Sequence, residues 1–198
     1  MERQLFWAGS DAWRAESAHV RTRADGSVVA TGVQLGVVPL PYRLDYRLDL
    51  GADWVTRELE VTAVGAGWQR SAWLTRDDDA GWAYRQFADG DAGLPPPGCD
   101  PAALGEALDC DLGLSPLTNT MPIVRHELHL RPGAVEFTMA WMSVPDLAVV
   151  ASVQRYEHVR TTADGAVVRF ASGDFTADLQ IDADGFVVDY PDLARRVP

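Results

Sequence analysis

The chain has 198 residues, 17 of them basic and 29 acidic, for a net charge of −12. That length suits one domain with a sizeable core or a walled cavity, and that charge repels phosphate backbones and anionic headgroups, so nucleic acids are excluded as partners. Every basic side chain other than histidine is an arginine, which excludes lysine chemistry.

The N-terminal stretch "MERQLFWAGSDAWR" mixes charges with tryptophans. It lacks the apolar run of about 7–15 residues that a secretory leader carries, and no stretch approaches the roughly 20 apolar residues of a transmembrane segment. The cytoplasm is the expected location, with Cys99 and Cys110 as free thiols.

Period-two alternation dominates the rest of the N-terminal half. In "RTRADGSVVATG" (21–32) the Asp25-Gly26 pair divides two strand-like runs and predicts a hairpin. "YRLDYRLDL" (42–50) sets Tyr42, Leu44, Tyr46, Leu48 and Leu50 against Arg43, Asp45, Arg47 and Asp49, the pattern of a half-buried strand. Continuing that alternation through "VTRELEV" (55–61) puts Arg57 on the apolar face with Val55, Leu59 and Val61, where its charge requires a partner. An acid on a neighbouring strand or a headgroup phosphate or carboxylate would serve.

The composition breaks at "FADGDAGLPPPGCDPAALGEALDC" (87–110), whose Gly, Pro and Asp content predicts a long surface crossing within one domain, with short helices near 101–108. The window "LDCDLGLSPLTNTMPIVRHEL" (108–128) then concentrates polar groups. Asp109 and Asp111 share a face if extended, while Pro116 and Pro122 forbid a central paired strand. Thr118, Asn119 and Thr120 either bond back to the local backbone as turn stabilisers or offer hydroxyls and an amide to a polyhydroxylated ligand. Arg125 alternates with Ile123 and needs a counter-charge, for which Asp109, Asp111 and Glu16 are the acids to test.

Beyond this window Val135, Phe137, Met139 and Trp141 repeat the period-two pattern, as do Phe175, Ala177, Leu179 and Ile181. Asp164-Gly165 and Asp184-Gly185 predict two further hairpins. Strand after strand without a long amphipathic helix predicts an all-β single domain over 1–198, an antiparallel curved sheet or roll.

Several chemistries are excluded by spacing. Two cysteines without a neighbouring Cys/His set, and His126 and His129 three apart in "HELH", make no zinc site, and neither metal nor cofactor is expected. No Gly-x-Ser-x-Gly elbow or phosphate-binding glycine loop is present. Asp109 and Asp111, about 6–7 Å apart along a strand, leave a carbohydrate- or lipid-modifying hydrolase as the alternative to a binding protein, although nothing in "LDCDL" gives the two acids the different environments that catalysis needs.

Five segments together carry a resemblance: "AESAHVRTRADGSVVATGVQLG" (15–36), "PYRLDYRLDLGADWVTRELEV" (41–61), "LDCDLGLSPLTNTMPIVR" (108–125), "SVPDLAVVASVQRYEHV" (143–159) and "ADLQIDADGFVVDYPDLARRV" (177–197). In order and spacing they resemble the bacterial family known as the putative glycolipid-binding proteins. The resemblance implies a spiral β-roll like that of bacterial lipoprotein carriers and an amphipathic ligand, a glycolipid. The sequence departs from those carriers in lacking an export signal. It departs from the commoner form of the motif at Cys110, in place of an aliphatic residue, and at Leu117, in place of Phe.

Seven tryptophans could line an acyl cavity or stack on sugar faces. Trp141 lies on a clear apolar strand face and reads as core. Trp54, Trp73 and Trp82, flanked by charges or glycine, read as candidates for a cavity mouth. The candidate ligand-binding set is therefore Asp109, Asp111, Thr118, Asn119, Thr120, Arg125, Arg57, Trp54 and Tyr156, the last lying beside Arg155 in "VQRYEHV", with residues 109–125 as the polar rim of an apolar cavity.

Overall fold

A computed structural model describes residues 1–197. The chain first runs as an antiparallel meander of seven strands: β1 (Glu2–Gly9), β2 (Arg14–Thr22), β3 (Val28–Gly36), β4 (Tyr42–Leu50), β5 (Thr56–Gly65), β6 (Trp68–Asp77) and β7 (Gly81–Gly90). A connecting segment holds the short β8 (Gly98–Cys99), a 3-10 turn at Pro101–Leu104, β9 (Asp109–Leu112), a second 3-10 turn at Pro116–Asn119 and the one-and-a-half-turn helix α1 (Thr120–Arg125). A second meander comes next as β10 (Ala134–Met142), β11 (Ala148–Thr161), β12 (Gly165–Ser172), β13 (Phe175–Asp182), β14 (Val187–Tyr190) and β15 (Ala194–Arg196).

All fifteen strands belong to one curved sheet in the order β7-β6-β5-β4-β3-β2-β1-β15-β14-β13-β12-β11-β10-β9, with β8 beside β11. Neighbours are antiparallel except β9 on β10 and β8 on β11, which are parallel. The all-β, single-domain roll is as the alternation predicts. Of the three Asp-Gly pairs expected to turn hairpins, Asp25-Gly26 and Asp184-Gly185 lie between β2 and β3 and between β13 and β14, with glycine φ of 86° and 90°, while Asp164 lies between β11 and β12 and Gly165 is the first residue of β12.

The "YRLDYRLDL" strand is buried at Tyr42, Leu44, Tyr46, Leu48 and Leu50 and open at the charges between them. Such a face supplies the core by the ordinary hydrophobic term, about 1.5–3 kcal/mol for each large apolar side chain removed from water. Tyr46 and Tyr42 lie flat over Gly32 and Gly36, their cross-strand partners on β3. A Cβ at either glycine would come within 2.5 Å of the ring.

Two expectations are corrected here. The β4–β5 register shifts between Asp49 and Leu50, so that Leu50 faces Thr56 and Asp49 faces Glu58. Arg57 is the extra residue of a bulge, which swings it out to solvent and turns Thr56 inward. The crossing expected over 87–110 is exposed for most of its length, but it is shorter than predicted: Phe87 to Gly90 belong to β7, and beyond Glu106 the chain turns inward. From Leu104 to His129 it lies between the two meanders, with Leu104, Leu112, Met121, Ile123 and Leu128 at most 1% exposed.

Both meanders bond to this wedge, the second through β10, which pairs with β9, and the first through β5 and β7. Thr56 donates its N–H to the Leu108 carbonyl, and its hydroxyl accepts from the Cys110 N–H at 3.0 Å. Trp82 Nε1 donates to the Ala107 carbonyl at 2.8 Å. Pro116 opens its 3-10 turn at the first position, where its missing N–H costs nothing. The "HELH" residues form turns after α1 rather than a strand.

Candidate functional site

β9 is buried at all four residues, and its alternation sends Asp109 and Asp111 to one side and Cys110 to the other. The two acids meet different surroundings. Asp109 accepts from both terminal nitrogens of Arg125, at 2.7 Å and 2.5 Å, the paired geometry of a guanidinium and a carboxylate. Burial pushes the Asp109 pKa up, and the Arg125 fork pulls against it. Arg125 Nη1 also donates to the carbonyl of Trp54 at 3.4 Å, and Trp54 itself holds a positive φ of 63°.

Asp111 ends a directed chain of hydrogen bonds. Asn119 Nδ2 donates to the Tyr156 hydroxyl at 2.8 Å, which donates to Gln154 Oε1 at 3.0 Å. Gln154 Nε2 donates to Asp111 Oδ2 at 2.7 Å, and Thr118 Oγ1 donates to Asp111 Oδ1 at 2.7 Å. Burial raises the Asp111 pKa while these last two bonds oppose the rise. Each member of the chain is at most 8% exposed.

A cavity of about 530 Å³ opens beside this chain. Its polar side is Asp111, Asn119, Gln154 and Ser115, all deeply buried. Its walls are Trp141, Phe170, Phe175 and Tyr190, with Leu112, Leu114 and Leu193. Trp141 at 36% and Phe175 at 46% exposed mark the outer end. The opening arises from the pairing: β12 accompanies β11 only from Arg155 onward. At that fork the hydroxyls of Ser152 and Ser172, which also line the cavity, come within 3.2 Å.

Of the nine sequence candidates, Asp111 and Asn119 line this cavity. Thr118 and Tyr156 stand behind them in the hydrogen-bond chain. Asp109, Arg125 and the Trp54 carbonyl form the neighbouring ion-pair cluster. Thr120 is buried, its hydroxyl without a partner among the described residues. Arg57 lies apart, beside Asp53, Arg76, Asp77 and Asp78.

The 109–125 window lies inside the fold and not at an outer rim, and the outer end of the cavity is marked by two of the four rings, Trp141 and Phe175, while Phe170 and Tyr190 are buried. Trp141 occupies the expected face but borders the cavity instead of packed core. Trp73 and Trp82 do not line it: Trp73 donates to Glu60 under Arg85, and Trp82 is only 7% exposed. Sequence reasoning missed Gln154, which did carry a signal: it is the polar residue on the inward parity of β11, two before Tyr156. Phe175 and Tyr190 carry no such local signal.

The pairing of Asp109 with Arg125 also bears on hydrolysis. Two acids must flank one substrate bond, and of these two only Asp111 lines the cavity. Among the described residues no cluster of three His, Cys, Asp or Glu side chains is placed to hold a metal ion. Nor is any helix among them long and apolar enough to cross a membrane.

Comparison with known proteins places the chain in a family. A family model described as "Putative glycolipid-binding" matches residues 4–196. The chain is similar to the crystal structure of a DUF1089 family protein from Pseudomonas aeruginosa, with 29% identity over 95% of this chain and 93% of that one and a TM-score of 0.66. No curated protein matches it.

Proposed function

The chain belongs to the family described as putative glycolipid-binding, and we propose from that premise that it is a binding protein whose cavity takes the sugar headgroup of an amphiphile. In this reading Asp111, Asn119 and Gln154 hold the sugar hydroxyls. Trp141, Phe170, Phe175 and Tyr190 cover the ring faces and the start of the tail, which leaves past the exposed Trp141 and Val150, partners across β10 and β11.

The observation that carries the reading is a buried carboxylate and two buried amides at the floor of an aromatic-walled cavity. Ligand sites are commonly apolar hollows of about 300–1,000 Å³ with a few convergent polar groups, and 530 Å³ lies within that range. Asp109 and Arg125 position β9 against α1 in this scheme, and their pairing keeps Asp111 at the floor.

Equilibrium titration of the purified protein with an alkyl glycoside, the matching alkyl alcohol and the free sugar tests the reading. The glycoside should bind more tightly than either of its halves, because each half reaches only one end of the site. Absence of glycoside binding, in protein that native mass spectrometry shows to be free of retained lipid, overturns it.

A further inference from the structure

We propose that the cavity selects headgroups that donate hydrogen bonds and carry no negative charge, neutral or amino-bearing glycosyl groups, and turns away phosphate, sulfate and carboxylate headgroups. The inference rests on the binding reading above and narrows it.

The direction of the hydrogen bonds is the first ground. Asn119, Tyr156, Gln154 and Thr118 pass their donors inward, and the chain terminates on Asp111, whose two oxygens each accept one. A carboxyl oxygen has two lone-pair positions, so each Asp111 oxygen, with one hydrogen bond already accepted, keeps a position for a ligand donor. Two adjacent sugar hydroxyls, or an ammonium group, can donate to that pair. A carboxylate or a phosphate dianion can only accept.

The second ground is the placement of the cations. Among the described residues no arginine or histidine lines the cavity, and the chain has no lysine. Arg125, the arginine nearest to Asp111 in the sequence, has both terminal nitrogens on Asp109. Anion sites are built from guanidinium forks, ammonium groups or clustered backbone N–H groups, and in this cavity the one ionisable headgroup contact is itself an acid.

The third ground is the wall. The faces of Trp141, Phe170, Phe175 and Tyr190 carry the negative lobe of the ring quadrupole, which favours the C–H faces of a sugar or a cation over an anion. Like charges brought together in a desolvated site repel strongly, whereas the same charges at an open surface are screened.

The test is a titration of the intact protein at neutral pH with four amphiphiles of one chain length: octyl glucoside, octyl glucosaminide, octyl phosphate and octanoate. The two glycosides should bind, and the two anions should bind at least about tenfold more weakly. Asp111→Asn keeps the shape and removes the charge, and should narrow that gap. The wild-type comparison stands alone should the variant fail to fold. Octyl phosphate binding as tightly as octyl glucoside overturns the selectivity and leaves the binding reading in place. Failure of all four to bind overturns both.

Discussion

Gln34 faces Glu16 across the β2–β3 ladder, and each carries a buried oxygen, Gln34 Oε1 and Glu16 Oε2, with no partner among the described residues. The other acid oxygen, Glu16 Oε1, accepts from Tyr46 at 2.6 Å and from Ser115 at 2.7 Å. A proton on Oε2 would make it a donor, and the Gln34 amide oxygen on the paired residue is an unoccupied acceptor. Burial accordingly raises Glu16 to about 7, against the hydrogen bonds and the charge of Arg14.

The sign of the resulting pH dependence comes from that rise. With its folded pKa above the unfolded value of 4.5, Glu16 contributes stability fully present below about pH 4.5 and lost as the pH climbs to about 7, a change of about 3 kcal/mol. Tyr42 and Tyr46, the other titratable groups facing it, are raised and stay neutral in this window. Asp109 and Asp111 are raised as well and add the same sign. Urea unfolding from about pH 5 to about pH 8 should show falling stability, and Glu16→Gln should flatten the slope. A slope unchanged by that substitution would falsify the assignment.

Arg125 should matter most to stability. Arg125→Met leaves Asp109, 0% exposed, without its counter-charge, a loss of about 3–5 kcal/mol. Combining it with Asp109→Leu should recover a large part of that loss. A double-mutant cycle by denaturant unfolding measures the coupling, and a value near zero would mean that the pair does not act as one.

Tyr156 links two amides, so Tyr156→Phe should cost about 1–3 kcal/mol by leaving Asn119 Nδ2 and Gln154 Oε1 unpaired. The ring itself remains stacked on Phe137. The same substitution should weaken glycoside binding, because Gln154 loses the bond that orients it toward Asp111. A phenylalanine variant as stable as the parent would rule out the chain as a structural unit.

Trp141 and Phe175 should divide stability from binding in the opposite way. Both are partly exposed, so Trp141→Ala and Phe175→Ala should shift stability by less than about 1 kcal/mol while each weakens alkyl glycoside binding by about 1 kcal/mol or more. Calorimetry on both variants decides it. Affinity equal to that of the parent chain would move the ligand elsewhere.

Where a strand packs one face and wets the other, the sequence is easily read. Tyr42 to Leu50 alternates in burial as in hydropathy, and Gly26 and Gly185 adopt the positive φ expected of an Asp-Gly turn. Arg57 escapes the pattern because a bulge adds one residue to β5 and reverses parity before Leu59. The 109–125 window is hidden for a different reason: β9 is buried on both faces, so its acids show no period at all. Their partners Arg125 and Gln154 lie 16 and 43 residues along the chain, and no local pattern announces contacts of that range. The pairing of Asp109 with Arg125 is nonetheless legible, from complementary charge in one short window.

The sheet order has a consequence for manufacture and damage. β15, the most C-terminal strand, does not lie at a border of the sheet but beside β1, joining the first meander to the second. During synthesis the flank of β1 that will receive it stays open until residues 194–196 have been made, leaving unpaired N–H and C=O groups available to other chains. Proteolytic loss of three residues, Ala194 to Arg196, would therefore act as a broken seam rather than a frayed hem, parting the fabric along its middle.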